Sequence, residues 1–263
     1  MDHGVNPEHR ADAAGYRARL YARYSANFGG VKSLDPEIQF RQFERCYAGR
    51  LPGAASAVGD LGCGKGEWLA WLRSKGCTNL WGVDGSPSDA AIARSQNPGI
   101  EVVEGGIFEA LRNKTSGFDL LHAKDVIEHL RRDELFEFLD ACLLALRPGG
   151  QLWLLTFNAQ SPLASATRYG DLTHEIGLTP TSMRQLLAAA GFEVVAVRGI
   201  HVCPKTVGGF LRKIIWRGLA ILAGLLLHAR HGGKTEGNVE TFSPEPDLFA
   251  VARKPLNASS PVA

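Results

Sequence analysis

The stretch Val58-Gly59-Asp60-Leu61-Gly62-Cys63-Gly64-Lys65-Gly66-Glu67 decides how the fold is read. A short apolar run stops at an acid, three glycines alternate, and a helical segment begins. Glycine lacks a Cβ, so the backbone there can take positive φ and lets a ligand approach closely, while the following helix points free N–H groups at the same place. This is a nucleotide-cradling turn between a strand and a helix, and the spacing narrows its ligand. A dinucleotide site needs G-x-G-x-x-G and a phosphate loop needs G-x-x-x-x-G-K-[ST]. Here the glycines run G-x-G-x-G and Lys65 is followed by Gly66. Neither phosphate pattern fits. Because glycines also make tight turns that hold nothing, the site requires partners elsewhere in the chain.

Working outward, short apolar runs alternate with amphipathic segments from Val58 onward, the pattern of βαβ units and a mostly parallel sheet. Strands are expected at 58–61, 80–83, 100–103, 118–123, 152–156 and 192–197, with a last one at 248–252. Helices are expected at 67–75, 133–146 and 180–190, each closed by a stop signal: Gly76, Pro148-Gly149-Gly150 and Gly191. The expected fold is α/β: a Rossmann-like, seven-stranded sheet with helices on both faces and an antiparallel last strand. Upstream, Tyr16, Leu20 and Tyr24 share one helical face. Ile38, Phe40, Phe43 and Tyr47 mark a second helix after Asp35-Pro36, and Leu51-Pro52-Gly53 ends this lid or brace. The organisation expected is a helical extension at 1–53, a core at 54–198, an inserted helical segment at 199–246, and the last strand with a polar tail at 247–263.

A chain of 263 residues, 45% hydrophobic and 21% charged, suits one large α/β domain with appendages. A net charge of +2 is too mild for a nucleic-acid surface, so no nucleic-acid partner is expected. Cys46, Cys63, Cys77, Cys142 and Cys203 are scattered without a C-x-x-C pair, so reduced thiols and no metal are expected. The polar start, 1–10, lacks the apolar core of a secretory signal, which leads to a cytoplasmic expectation.

The partners of the glycine turn lie at the carboxyl ends of the strands. Trp81-Gly82-Val83-Asp84-Gly85-Ser86 puts Asp84 at the end of the second strand, where ligands of open parallel sheets bind and where a carboxylate can accept both hydroxyls of a ribose. The alternative duty, capping the next helix, falls to Ser86 or Ser88. After the third strand comes Glu104-Gly105-Gly106-Ile107-Phe108, after the fourth Lys124-Asp125-Val126-Ile127-Glu128-His129-Leu130, and later Leu146-Arg147-Pro148-Gly149-Gly150.

Together these segments resemble, in order and spacing, the motifs of the class I S-adenosylmethionine-dependent methyltransferases, over about 57–197 plus the last strand. The resemblance implies S-adenosyl-L-methionine as cofactor, with Asp60, Gly62, Cys63, Gly64 and Gly66 forming the first motif and Asp60 reaching the amino group through water. It implies ribose contacts at Asp84 and Gly85, and methionyl contacts at the Ala123 carbonyl and Asp125. At the adenine position the family commonly has Gly-Asp. Gly106 departs from that, leaving the Ile107 N–H to meet the ring. His129 reads either as part of a connector into the next helix or as a catalytic group.

The acceptor is expected further along. Thr156-Phe157-Asn158-Ala159-Gln160-Ser161-Pro162 and the run Arg168-Tyr169-Gly170-Asp171-Leu172-Thr173-His174-Glu175 are dense in polar groups in a connection at the carboxyl end of the sheet. They resemble loops of methyltransferases from bacterial surface-glycan and small-molecule pathways. They read either as a hydrogen-bonded loop or as the acceptor site, in which His174 or Asp171 removes a hydroxyl proton. In the insertion, 207–227 is apolar and basic, with Lys213 and Arg217 one turn apart. Its uncharged part, 218–227, is shorter than the ~20 residues a bilayer span needs. It reads as an interfacial membrane helix or a cap over a lipid-like acceptor, or else as a helix packed on the domain or on a second copy of the chain. The expected function is transfer of a methyl group to oxygen on a small-molecule or lipid-linked glycan acceptor. The alternatives are an N-methyltransferase or a non-catalytic partner subunit.

Overall fold

A computed structural model describes residues 15, 20, 36–47, 49–112, 114–201, 206–231 and 242–256. The face expected from Tyr16 and Tyr24 lies outside the described residues. The strands are β1 (Val58–Leu61), β2 (Leu80–Asp84), β3 (Glu101–Glu104), β4 (Phe118–Lys124), β5 (Leu146–Phe157), β6 (Glu193–Ile200) and β7 (Asp247–Arg253). The helices are α1 (Pro36–Cys46), α2 (Glu67–Ser74), α3 (Pro87–Gln96), α4 (Ile107–Leu111), α5 (Glu134–Ala145), α6 (Ala164–Gly170), α7 (Pro180–Ala189) and α8 (Val207–His231), with a 3₁₀ turn at Ile127–His129.

One seven-stranded sheet runs in the order β3-β2-β1-β4-β5-β7-β6. All neighbours are parallel except β7, which is antiparallel to both β5 and β6. The expected fold is therefore the observed one: a doubly wound sheet whose strand order reverses beside β1, the place where such sheets bind ligands. Since β6 is antiparallel to β7, as β5 is, its carboxyl end lies on the same edge as the glycine turn.

Apolar side chains fill both faces. One layer includes Leu61, Leu121, Phe138, Leu139 and Leu152, the other Leu69, Trp71, Leu72 and Val251. Tyr47, just beyond α1, is fully buried in the second layer. It stacks on Trp71 and Trp153 with centroids 5.7 and 5.6 Å apart. The extension is thus fastened to the core by an aromatic plug. Two elements differ from expectation: Arg168-Tyr169-Gly170, expected in a connecting loop, closes α6, and one strand is longer than expected. The helix expected over 133–146 stops at Ala145, and Arg147-Pro148-Gly149-Gly150 belongs to a long β5 rather than to a bare turn. Sheet pairing of Leu146 with Phe118, past a bulge, extends the strand, and Arg147 is held by Asp119 at 2.6 Å.

Candidate active site

The glycine turn adopts the backbone its composition demands. Gly62, Gly64 and Gly66 have φ of 71°, 55° and 80°, the left-handed region in which a Cβ is strained. Their surroundings assign them different duties. A Cβ on Gly62 would meet Val126 Cγ2 at 2.6 Å, and one on Gly66 would meet Asn97 Nδ2 at 2.4 Å, so both are packing glycines. A Cβ on Gly64 would meet nothing within 4 Å, which leaves a bare backbone face open to a ligand.

That face looks into a cleft of about 350 Å³ whose walls include Asp60, Cys63, Glu67, Trp68 and Asp125, with Gln39, Gln42 and Phe43 of α1 closing one side. The extension therefore acts as a wall of the site. Among the residues expected to hold cofactor, Asp60, Gly62, Cys63, Gly64 and Asp125 line this cleft. Ala123 sits in β4 opposite Leu61, 2% exposed. Gly106 caps α4 without a side chain to offer, and Ile107 opens that helix. Gly85 lies across from the Gly105 carbonyl, and Gly105 N–H donates to the Asp84 carbonyl at 2.9 Å, tying the ends of β2 and β3 together.

Asp84 is more engaged than its sequence suggests. Ser86 caps α3 as expected, its Oγ accepting from Asp89 N–H, but the Asp84 carboxylate also accepts backbone N–H groups, from Gly64 at 2.7 Å and Ser86 at 2.8 Å. Burial raises its pKa and these two hydrogen bonds oppose the rise. The carboxylate braces the glycine turn from the end of β2.

Sequence reading missed the support beneath Asp60. Asp60 Oδ1 lies 2.7 Å from His122 Nδ1, and His122 Nε2 lies 2.6 Å from the Tyr47 hydroxyl. All three residues are buried, and the indole of Trp68 stacks on the imidazole at 3.9 Å. Burial holds the Tyr47 pKa well above its ordinary value, so the phenol donates to Nε2, and Nδ1–H then donates to Asp60. The relay fixes the carboxylate that faces the cleft. The signal that finds it is strand register, since Asp60 and His122 are paired residues of β1 and β4.

The carboxyl end of β4 turns sharply. Asp125 has φ of 55°, rare for a residue with a side chain, and is ion-paired with Lys124. Strain of this kind is kept where it positions a functional group. Next comes Glu128, 2% exposed, whose carboxyl is pushed up to about 8 by burial and then by the charge of Asp125.

The loop expected to serve the acceptor folds back onto this turn. The backbone N–H groups of Glu175 and Ile176 donate to the Glu128 carbonyl at 2.7 and 3.1 Å. Asp171 Oδ1 accepts from Thr173 N–H at 2.8 Å and from Thr173 Oγ1 at 2.6 Å, shaping the loop. His129 Nδ1 is 3.2 Å from the Thr173 carbonyl, His174 Nδ1 is 2.9 Å from the Thr167 carbonyl, and the two rings are 4.8 Å apart. Burial, then the neighbouring His174, lowers the His129 pKa. His129, read apart from that loop, thus joins Asp171 and His174 in one cluster.

A second cleft, of about 700 Å³, opens under α8 at the end of β6, with Arg45, Arg198, His201, Lys213, Trp216 and Arg217 on its walls. Above it, Phe210, Leu211, Ile214, Ile215, Leu222 and Leu226 are all more than half exposed on α8. Among the described residues no helix is long and apolar enough to cross a membrane.

Comparison with known proteins agrees with this geometry. A family profile described as "Methyltransferase domain" matches residues 42–197. A ubiquinone biosynthesis O-methyltransferase of Sinorhizobium medicae is 26% identical over 176 residues, 62% of this chain and 70% of that protein. Among solved structures, an S-adenosylmethionine-dependent methyltransferase from Archaeoglobus fulgidus superposes with a TM-score of 0.64 at 21% identity, covering 89% of this chain and 99% of that one. A Burkholderia thailandensis 1,6-didemethyltoxoflavin-N1-methyltransferase, solved with its substrate and S-adenosylhomocysteine, gives a TM-score of 0.56 at 17% identity, covering 97% and 93%. The open backbone at Gly64 and the acids around it fit the cofactor that the family uses, and the profile spans the elements that carry them. The chain belongs to the class I S-adenosylmethionine-dependent methyltransferases.

Proposed function

We propose that this enzyme methylates an oxygen atom of a small-molecule or lipid-linked glycan acceptor, at the edge where the cofactor cleft adjoins the His129–Asp171–His174 cluster. The observation that carries the reading is that cluster, a set of polar groups able to receive a hydroxyl proton beside the strained Asp125 of the cleft. Bound S-adenosylmethionine supplies an electrophilic methyl group on a sulfonium sulfur. The cleft would hold it: Asp60, fixed by His122, would reach its amino group through water, the Gly64 backbone would give it room, and Asp84 would accept from the ribose hydroxyls. An oxygen acceptor needs its hydroxyl activated, and burial, which lowers the His129 pKa, favours the neutral imidazole that either a base or a ligand requires. The O-methyltransferase named among the relatives supports oxygen over nitrogen.

The lipid-linked part of the reading rests on α8, whose exposed apolar residues and cations suit an anionic membrane surface. That surface would be the cytoplasmic face of a membrane. The test is methyl transfer from labelled cofactor to a panel of hydroxylated glycans, phenols, polyprenyl-linked sugars and amines. Label on hydroxyls is the expected result. Label confined to amines would replace the reading with N-methylation.

A further inference from the structure

We propose that Glu128, His129 and His174 form a site for one divalent first-row transition ion, whose open coordination positions take the oxygen of the acceptor. The ligand atoms of these residues lie within 4.8 Å of one another. Metal–ligand bonds of about 2.0–2.2 Å mean that about an ångström of side-chain movement closes the set around an ion. The imidazoles are already turned for the task. A carbonyl oxygen can only accept, so the nitrogen facing it carries the proton: His129 Nδ1 toward Thr173 and His174 Nδ1 toward Thr167. With the proton on Nδ1, each ring carries its lone pair on Nε2, as in metal-binding histidines held by a carbonyl behind them.

Glu128 supplies a second, independent observation. Its side chain is buried, yet Oε2 makes no hydrogen bond. A buried carboxyl oxygen without a partner is costly, and a cation between it and the histidines removes that cost. Two imidazoles with one carboxylate suit zinc, iron(II), cobalt(II) or manganese(II), whereas magnesium and calcium prefer oxygen ligands throughout. Three protein ligands leave positions open. Asp125, a wall of the cofactor cleft, immediately precedes the turn that carries Glu128 and His129, so those positions adjoin the cleft.

The role of the ion rests on the reading of the acceptor as a hydroxyl. A cation lowers the pKa of a bound hydroxyl. Its proton leaves to water, the oxygen forms a bond to the methyl carbon, and the carbon–sulfur bond breaks with its electron pair staying on sulfur as the thioether of S-adenosylhomocysteine. The histidines then serve as ligands rather than as the base.

The experiment uses chelator-stripped, full-length protein titrated with cobalt(II) chloride and zinc chloride. Calorimetry and the visible ligand-field bands of cobalt are followed, with S-adenosylhomocysteine binding measured on the same preparation. One equivalent of either ion is expected to bind, and His129→Ala, His174→Ala and Glu128→Gln should each weaken binding at least about tenfold while S-adenosylhomocysteine still binds. Stripping the ion should abolish methyl transfer to hydroxyls and its return should restore it. The site is overturned if the stripped protein takes up neither ion, or if variants that still bind S-adenosylhomocysteine hold cobalt as tightly as the parent. Ion binding with unchanged turnover in the stripped enzyme would overturn the role given to the ion. Loss of S-adenosylhomocysteine binding in the parent would instead strike at the methyltransferase reading.

Discussion

At the scale of single residues, the proposed function makes the cofactor and the acceptor depend on different groups. Asp84→Ala should weaken cofactor binding in a calorimetric titration by about 1 to 3 kcal/mol, because a charged acceptor is lost together with its support of Gly64 N–H. His174→Ala and Asp171→Asn should instead lower turnover about 10²- to 10⁴-fold with cofactor affinity little changed, since both sit in the acceptor loop and neither lines the cleft. Near-normal turnover in both would make the loop structural. Gly62, Gly64 and Asp84 are legible in the sequence because backbone geometry and strand ends restrict which residues can stand there. The Tyr47–His122–Asp60 relay is not legible, because it joins residues 75 and 62 positions apart and exists only once β1 lies against β4. Nor does the spacing of Glu128, His129 and His174 announce a cluster, since 44 residues and a folded-back loop separate Thr173 from His129.

Among the elements, α8 carries the largest step from sequence to function. Its apolar positions recur at helical spacing, and its Trp216 Nε1–H donates to the Pro244 carbonyl at 3.1 Å, anchoring the helix to the segment that returns to β7. Each cation near an anionic membrane surface contributes about 1 kcal/mol, so sedimentation with anionic vesicles at low salt should carry the protein down and added salt should release it. The variant Arg212→Glu, Lys213→Glu, Arg217→Glu should remain in the supernatant. Protein that never sediments would leave α8 as a packing or dimer-forming helix and the acceptor as a soluble molecule. The strands are legible to within a few residues, except β5. Its amino-terminal half is not read as strand because Pro148-Gly149-Gly150 are turn residues, and sheet pairing overrides that local preference.

Seen whole, the molecule concentrates ionisable groups on the carboxyl edge of its sheet. Asp247 opens β7 between Phe157 and Ile200, and burial, reinforced by Asp125, raises its pKa to about 6. An acid whose pKa rises on folding contributes stability that is fully present below its unfolded value near 3.8 and is lost as pH climbs through about 6. Asp247→Asn should therefore raise the melting temperature at pH 8, by an amount corresponding to about 3 kcal/mol, and leave it unchanged near pH 4. A gain at both values would assign the effect to packing. The same edge is where the extension, through Gln39, Gln42 and Phe43, meets the cleft, an arrangement that leaves Trp68 both in the cleft wall and stacked on the buried His122. Its indole is therefore an optical probe built into the site. Entry of a sulfonium cation beside that ring should alter its emission through the electrostatic pull of the charge on the aromatic face, and conversion to the uncharged thioether should alter it again, so that a single turnover becomes visible as light without any label.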